Sequence, residues 1–308
     1  MNSELLLSIC IPTNGVEQWV FPVLDSIYSQ GVEESRYEVV VMDNGNNEHF
    51  GMLMQEYAAK HTNLNYKKTE AKLFLSEIAC YQQAKGAFIK FLNHRTMLRP
   101  GTLEYFLSFV EQNSGDKPVV YFADGTVKLP QDVCQYDSFD GFVGGLMHMS
   151  SWSTGMGFWK DDFQSIPPQT VFNELFPHTT ILFDQRKRSR YIIDNRVLLD
   201  TIPVGNIPKG KYDLFHAFAV EYPAIISDLL RSGDISVETF LRVKKSNLRF
   251  IAGLYYDYVI RKRKCSYDLS SYDTSIKVFY GKFAVNYQML LLVIGKLYNK
   301  IKKLLFKQ

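Results

Sequence analysis

Two periods of apolar positions alternate along the first 125 residues. Leu5 to Ile11 (LLLSICI) is a short apolar run halted by Pro12-Thr13-Asn14-Gly15, the pattern of a buried strand running into a loop. Helical spacing follows over 17–30, with Val20, Leu24, Ile27 and Tyr28 on one face. Tyr37 to Met42 is apolar and β-branched, and ends in the turn-forming cluster Asp43-Asn44-Gly45-Asn46-Asn47. A helix is predicted over 50–61, a short strand over 64–67, and a helix over 73–85 closed by Gly86 in a left-handed cap. Ala87 to Leu92 (AFIKFL) predicts a buried strand ending at Asn93-His94-Arg95. Pro100-Gly101-Thr102 opens a helix to about 112, and Pro118 to Ala123 predicts a further strand. This alternation implies an α/β fold, a mixed and mostly parallel sheet with helices on both faces. In such sheets ligands bind beyond the carboxyl ends of strands. The polar clusters at 12–15, 43–47 and 93–95 all fall at strand ends and are expected to converge on one crevice.

From 125 to 215 the periodicity weakens. Gly144-Gly145 and Ser153 to Gly157 read as a bend and then a strand edge, 170–185 as a helix, 190–200 as a strand, and Asn206 to Gly210 as a loop. Helical patterns then dominate, over 216–231, 235–263 and 274–306. The domain boundary is placed at 213, giving a domain of residues 1–213 and a helical, basic region of residues 214–308. No internal repeat is present. In the last helix Leu290, Ile294, Leu297, Ile301, Leu304 and Leu305 recur at three- and four-residue steps, with Lys296, Lys300, Lys303 and Lys307 on another face. That is an amphipathic basic helix suited to the headgroup region of anionic lipid, with Arg261 to Lys264 as a second basic cluster. The competing reading packs this helix on the body and leaves its lysines solvated.

Composition sharpens this picture in one respect. With 308 residues, 46% hydrophobic and 22% charged, the chain is globular and long enough for a sizeable core. Its net charge of +3 conceals a strong asymmetry. Residues 242–308 hold 15 basic and 3 acidic side chains, whereas residues 1–241 hold 20 basic and 29 acidic. A polyanion-binding face is therefore expected at the C-terminal end. Cys10, Cys80, Cys134 and Cys265 are widely spaced and form no zinc pattern, which argues for a reducing compartment. The N-terminus lacks a basic stretch and carries Glu4, unlike a signal peptide, and no apolar run approaches the roughly 18 residues of a membrane span. A cytoplasmic protein, peripheral on the inner face of the plasma membrane, is expected.

The order SICIPTNG, then YEVVVMDNGNNE, then AKGAFIKFLNHRTMLRPGTLEYF resembles the nucleotide-sugar half of a family 2 glycosyltransferase of the GT-A fold. That family opens with S-I-(I/V)-I-P-T-Y-N-R, continues with a strand ending in D-N-G or D-D-G, and then shows A-x-G-x-(Y/F)-(I/V)-x-F-L-D-x-D-D-x-(L/I)-x-P-G-x-L. The resemblance covers roughly the first 110 residues, and three blocks in order are far more specific than one. It implies that Asp43 binds the nucleobase, usually uracil or another pyrimidine, because a carboxylate makes directional contacts to a base edge. It implies further that Pro12 and Thr13 lie under base and ribose, that Asn14 also binds the nucleotide-sugar, and that Asn44 and Gly45 allow close backbone approach. Lys72 is a candidate for the diphosphate.

The third block departs from the family pattern. Where the family's D-x-D acids hold a divalent cation, this chain has Asn93, His94 and Arg95. Mg²⁺ and Mn²⁺ favour anionic oxygen ligands, so no metal or other cofactor is expected, and Arg95 with His94 is expected to clamp phosphate oxygens in its place. The family's catalytic E-D pair aligns with Pro177-His178, which makes His178 the candidate general base. A packing role for His178 competes with this, and Asp124 is the alternative base or an acceptor-site residue. Glu77 and Lys90 read as solvated charges, and Trp152 and Trp159 as packed aromatics. The implied activity is inverting, hexosyl-type transfer from a nucleotide-sugar, a UDP-sugar, to a surface-glycan or lipid-linked acceptor. No base-reading module points to nucleic acid. The alternative is a catalytically silent relative that binds or scaffolds. A nucleotidyltransferase would need a Gly-rich, basic phosphate loop, which Pro12 to Val16 does not supply.

Overall fold

The computed structural model describes residues 5–204 and 210–305, without the side chains of 299–301 and 303–305. Asn206 to Lys209 and Lys307 thus lie outside the described residues. The chain divides into two compact units, residues 1–203 and 204–308.

The first unit is built on strands β1 (Leu7–Thr13), β2 (Tyr37–Asp43), β3 (Leu64–Lys68), β4 (Phe88–Phe91), β5 (Thr96–Leu98), β6 (Val119–Phe122), β7 (Val133–Tyr136), β8 (Met156–Trp159), β9 (Tyr191–Asp194) and β10 (Leu199–Thr201). Its helices are α1 (Glu17–Tyr28), α2 (Glu48–Ala58), α3 (Leu75–Tyr81), α4 (Thr102–Asn113), α5 (Phe139–Leu146), α6 (Lys160–Ser165) and α7 (Pro177–Asp184). Eight strands form one sheet in the order β3-β2-β1-β4-β8-β6-β9-β7, while β5 and β10 pair separately. Strands β3, β2, β1 and β4 are mutually parallel, as are β6 and β9; β8 runs antiparallel to both β4 and β6. The carboxyl ends of β1, β2, β4, β6 and β9 and the amino end of β8 therefore share one edge.

Side-chain alternation divides the sheet into two covered faces. Leu7, Ile9, Ile11, Val39, Val41, Phe88 and Phe122 pack with α1, α2 and α4 through Val20, Leu24, Phe50, Met54, Leu103 and Phe106. On the other face the Cys80 thiol of α3 reaches the Val40 carbonyl, Tyr81 meets Phe158 edge-on, and Phe142 of α5 stacks on Tyr191. Central strands buried on both faces explain why the apolar runs are continuous.

Several sequence expectations are corrected. Gly144-Gly145 is not a bend but part of α5, which Ser138 caps by accepting from the Gly141 N–H. Met156–Trp159 is no edge: β8 lies inside the sheet, where a Cβ on Gly157 would fall 2.7 Å from the Phe88 ring. The expected 170–185 helix is only Pro177–Asp184, and 190–200 divides into β9 and β10. Strands β5, β7 and β10, three or four residues each, are too short to show a period. Gly86 is not a left-handed cap. It is required because a Cβ there would lie 2.6 Å from the Leu7 carbonyl carbon and 2.7 Å from the Ser8 nitrogen.

The second unit is helical: α8 (Leu214–His216), α9 (Tyr222–Arg231), α10 (Val237–Leu254), α11 (Tyr272–Phe279) and α12 (Lys282–Leu305), with π-helical turns at Ala217–Glu221 and Tyr255–Ile260. The sequence-based boundary at 213 falls on Asp213, the N-cap of α8. The single helix expected over 274–306 is broken at Tyr280-Gly281 into α11 and α12. The core is Phe215, Ala219, Ile251, Ala252, Tyr255, Ile276, Tyr280 and Val285.

Gly86→Ala is expected to cost roughly 1–3 kcal/mol, because the obstacle is backbone that cannot rotate away. Urea denaturation measures this; a substitution without cost would contradict the close contact.

Candidate functional site

Thr13 and Asp43 close adjacent parallel strands and are partners in register. Cys10 pairs with Phe91 on the other side, so the chain leaving β4 brings His94 beside Thr13, and His94 Nδ1 lies 2.9 Å from Thr13 Oγ1. Thr13 Oγ1 also accepts from the Gly15 N–H at 3.1 Å. Burial, aided by the neighbouring Arg95 charge, pushes the His94 pKa down to about 4. A neutral ring then accepts the Thr13 hydroxyl proton at Nδ1 and carries its own proton on Nε2, a tautomer assigned from the hydrogen bonds. Trp19 meets this ring edge-on at 5.0 Å.

Asp43 is 0% exposed. Its Oδ1 accepts from the Gly45 N–H at 2.7 Å, and its Oδ2 accepts from Tyr66 Oη and Lys68 Nζ, each at 2.9 Å. Sequence reasoning missed Tyr66 and Lys68. The available signal was strand period two: Leu64, Tyr66 and Lys68 share a face, and Lys68 pairs directly with Asp43. The close approach expected at Gly45 is to the protein's own backbone, since a Cβ there would lie 2.1 Å from the Asn14 carbonyl oxygen. The Asn44 N–H donates to the Thr13 carbonyl and its side-chain amide to the Ala71 carbonyl, tying down the loop that carries exposed Lys72. Pro12 is partly buried beside Thr13, and Asn14 is exposed. Asn47 caps α2 by accepting from the Phe50 N–H.

At the end of β4, Asn93 Oδ1 accepts from the Arg95 N–H, and the half-buried Arg95 guanidinium donates to the Ile202 carbonyl at 2.9 Å. Arg95 is thus anchored, and Lys68, paired in register with Asp43 and with its side chain 53% exposed, adds a second positive charge beside the Asp43 loop. Asn93, His94 and Arg95 bring no carboxylate, and Asn93 Oδ1 and His94 Nδ1 are already engaged within the protein, so they do not fit a hard divalent cation. Among the described residues no group of three or more His, Cys, Asp or Glu side chains could hold a metal ion.

The two candidate bases are placed very differently. Asp124 follows β6 at the shared edge, partly exposed, in a left-handed backbone (φ +50°) that Asp tolerates better than most residues. Its Oδ1 accepts from the Leu198 and Leu199 N–H groups at 2.8 and 3.0 Å, fastening β10. His178 is 3% exposed on α7, its Nδ1 3.8 Å from Glu77 Oε2, and burial lowers its pKa to about 4 against the raising effect of the Ser151 and Ser150 backbone.

Glu77 and Lys90 are not solvated, contrary to expectation. Glu77 is 1% exposed, and burial raises its pKa to about 8, offset in part by Ser153 and Tyr81. Lys90 is fully buried, donates to the Phe91 and Thr154 carbonyls at 2.6 and 2.7 Å, and lies over the Phe106 and Phe122 rings. Burial lowers its pKa to about 7, with Asp124 opposing. The signal for Lys90 was its place inside the run AFIKFL, where a central strand has no wet face. Trp159 is buried as expected, its indole N–H donating to the Pro118 carbonyl.

Comparison with known proteins shows what the unit that carries these residues is similar to. Residues 8–132 match the family described as Glycosyl transferase family 2. The matched segment spans less than half of the chain and contains Thr13, Asp43 and residues 93–95. Over 124 residues the chain is 23% identical to the minor teichoic acid biosynthesis protein GgaB of Bacillus subtilis (strain 168), a match covering 38% of this chain but only 14% of GgaB. S. aureus TarS superposes with a TM-score of 0.52 at 14% identity, over 82% of this chain and 44% of that one. The mannosyltransferase PcManGT from Pyrobaculum calidifontis, solved with GDP-Man and Mn²⁺, superposes with a TM-score of 0.51 at 14% identity, over 92% of this chain and 86% of that one. The domain has the GT-A fold, with the crevice of Thr13, Asp43 and His94 at the carboxyl ends of its parallel strands.

A raised Glu77 pKa favours the fold below about pH 4.5, and that advantage is lost as pH climbs through 8. Glu77→Gln, permanently neutral, should match the wild-type melting temperature near pH 5 and exceed it by roughly a few degrees above pH 8. His178, held neutral, has the opposite sign: its contribution is present above pH 6.5 and lost as pH falls through 4. Calorimetry across this range is the check; a pH-independent difference for Glu77→Gln would contradict the buried, protonated carboxyl.

Proposed function

We propose that this domain transfers a hexosyl group, with inversion, from a nucleoside-diphosphate sugar, a UDP-sugar, to a hydroxyl of a teichoic-acid-type surface glycan or its lipid-linked precursor, and does so without a divalent metal. The observation that carries this reading is the juxtaposition of Thr13, Asp43 and His94 at the ends of three adjacent parallel strands of a family 2 domain. The base lies against Pro12 to Asn14 and reaches the Asp43-Gly45 loop, while the diphosphate meets positive charge from Lys68, Lys72 and Arg95. Residues 93–95 take the place of the family's D-x-D, and a cationic clamp suits their chemistry where a metal does not. TarS has been solved with UDP, which supports the choice of nucleotide by fold alone. The GgaB likeness supports the acceptor class.

Attack on the anomeric carbon requires that the acceptor hydroxyl lose its proton. Asp124 is the better placed of the two candidates: it stands at the open edge, and its backbone hydrogen bonds run through Oδ1, leaving Oδ2 to take the proton. His178, in the interior beside Glu77, acts on packing. Asp124→Asn should then lower kcat by about 10²–10⁴-fold, whereas His178→Asn should change mainly stability.

Donor turnover in EDTA tests the metal-free reading. UDP should raise the melting temperature in EDTA, a UDP-sugar should be consumed there, and Arg95→Ala should lower kcat/KM by about 10²-fold. An absolute Mn²⁺ requirement would contradict the cationic clamp. A chain that binds UDP but consumes no donor under either condition would be the catalytically silent relative instead.

A further inference from the structure

Helix α12 is apolar on two opposite faces. Val285, Met289 and Leu292, at steps of four and three, pack into the core of the helical unit. The opposite side carries Phe283, Tyr287, Leu290, Leu291, Ile294, Leu297 and Tyr298, all exposed, from 44% at Leu291 to 83% at Phe283. At 100° per residue these seven fall within a stripe about 120° wide. The packing expected of Leu290, Ile294 and Leu297 in the competing sequence reading is therefore absent; a different face holds the helix down.

We propose that this outward stripe is a docking surface for an anionic lipid bilayer, on which α12 lies parallel to the membrane plane with Phe283 to Tyr298 among the acyl chains. The charge around the stripe selects this occupant. Residues 274–308 contain seven lysines and no acidic residue. Asp273, just before this segment, is clasped by Lys277 and Lys282 and cancels one of their two charges, so residues 273–308 keep a net charge of +6. Exposed Arg261 to Lys264 and exposed Ile260 extend the same combination of cation and apolar side chain within the unit. A second copy of the helix would bring like charges together. Nucleic acid would satisfy the lysines but offer no apolar medium for seven side chains. Anionic lipid supplies both, with tyrosines such as Tyr287 and Tyr298 suited to the headgroup boundary. Among the described residues no single helix is long and apolar enough to cross a membrane; α11 and α12 reach that length and composition only together, and they are bent by 101° relative to each other.

This surface is independent of the donor crevice, and its test needs no catalysis. The full chain is sedimented with vesicles of phosphatidylglycerol and phosphatidylcholine (one to three), and with phosphatidylcholine alone, at moderate salt. Binding should be about tenfold stronger to the anionic vesicles and should weaken as salt rises. The double variant Leu290→Glu, Ile294→Glu should lose about tenfold of that binding, with the wild-type melting temperature and UDP response retained because both positions face out. Absence of wild-type binding to anionic vesicles, or equal binding by the double variant, would overturn the proposal. So would a wild-type oligomer that the double variant dissociates without any vesicle binding, which would make the stripe a contact between copies.

Discussion

The compensation of one buried charge organises the carboxyl edge of the sheet. Asp43 has no solvent to hold its carboxylate, and a buried ion without partners would cost several kcal/mol. Its three partners come from two segments: the Gly45 N–H of its own loop, and the Tyr66 hydroxyl and Lys68 ammonium of the neighbouring strand. Lys68 also donates to the Gly45 carbonyl, so one side chain holds both the charge and the loop. Gly45 must then be glycine because Asn14 presses against it, and Asn47 donates to the Gly15 carbonyl to close the contact between the two loops. A ligand entering the crevice meets an edge whose hydrogen bonds are already set, which lowers the cost of ordering it on binding.

Legibility in the sequence followed periodicity. The parallel half of the sheet was readable because β1, β2 and β4 are continuous apolar runs ending in turn-forming clusters, and the resemblance of three ordered blocks placed Thr13, Asp43 and residues 93–95 at one edge. Tyr66 and Lys68 were passed over because β3 is a half-exposed edge strand whose polar residues look like surface. Lys90 and Glu77 were misread for a related reason: charge alone suggests solvent, but position in a central strand, or on the first turn of a helix pressed to the sheet, decides burial. Strands β5, β7 and β10 are set by pairing with distant segments, such as Asp124 holding Leu198 and Leu199, and no local pattern reports that.

Two interior ionisable groups flank the sheet on opposite faces, and both are kept near neutrality by burial: Glu77 above the ordinary carboxylate range and Lys90 below the ordinary ammonium range. Lys90 donates to the Thr154 carbonyl just before β8, a strand that runs antiparallel to both of its neighbours, so this hydrogen bond helps secure the reversal of direction at the middle of the sheet. The charge asymmetry of the chain takes on structural meaning as well. Acidic side chains in the first unit are largely consumed in internal pairs and caps, whereas residues 274–308, which include the uncovered apolar stripe of α12, carry seven lysines and no acid.

The central proposal is that the edge organised around Asp43 binds the nucleotide without a metal. Isothermal titration of UDP into wild-type protein and Asp43→Asn, both in EDTA, tests it most directly. Asparagine preserves the shape and the contact with the Gly45 N–H while removing the charge. Clear wild-type binding that falls by about tenfold or more in a folded Asp43→Asn variant is the result predicted. Equal affinity of the two proteins, or wild-type binding seen only when Mn²⁺ is restored, would contradict it.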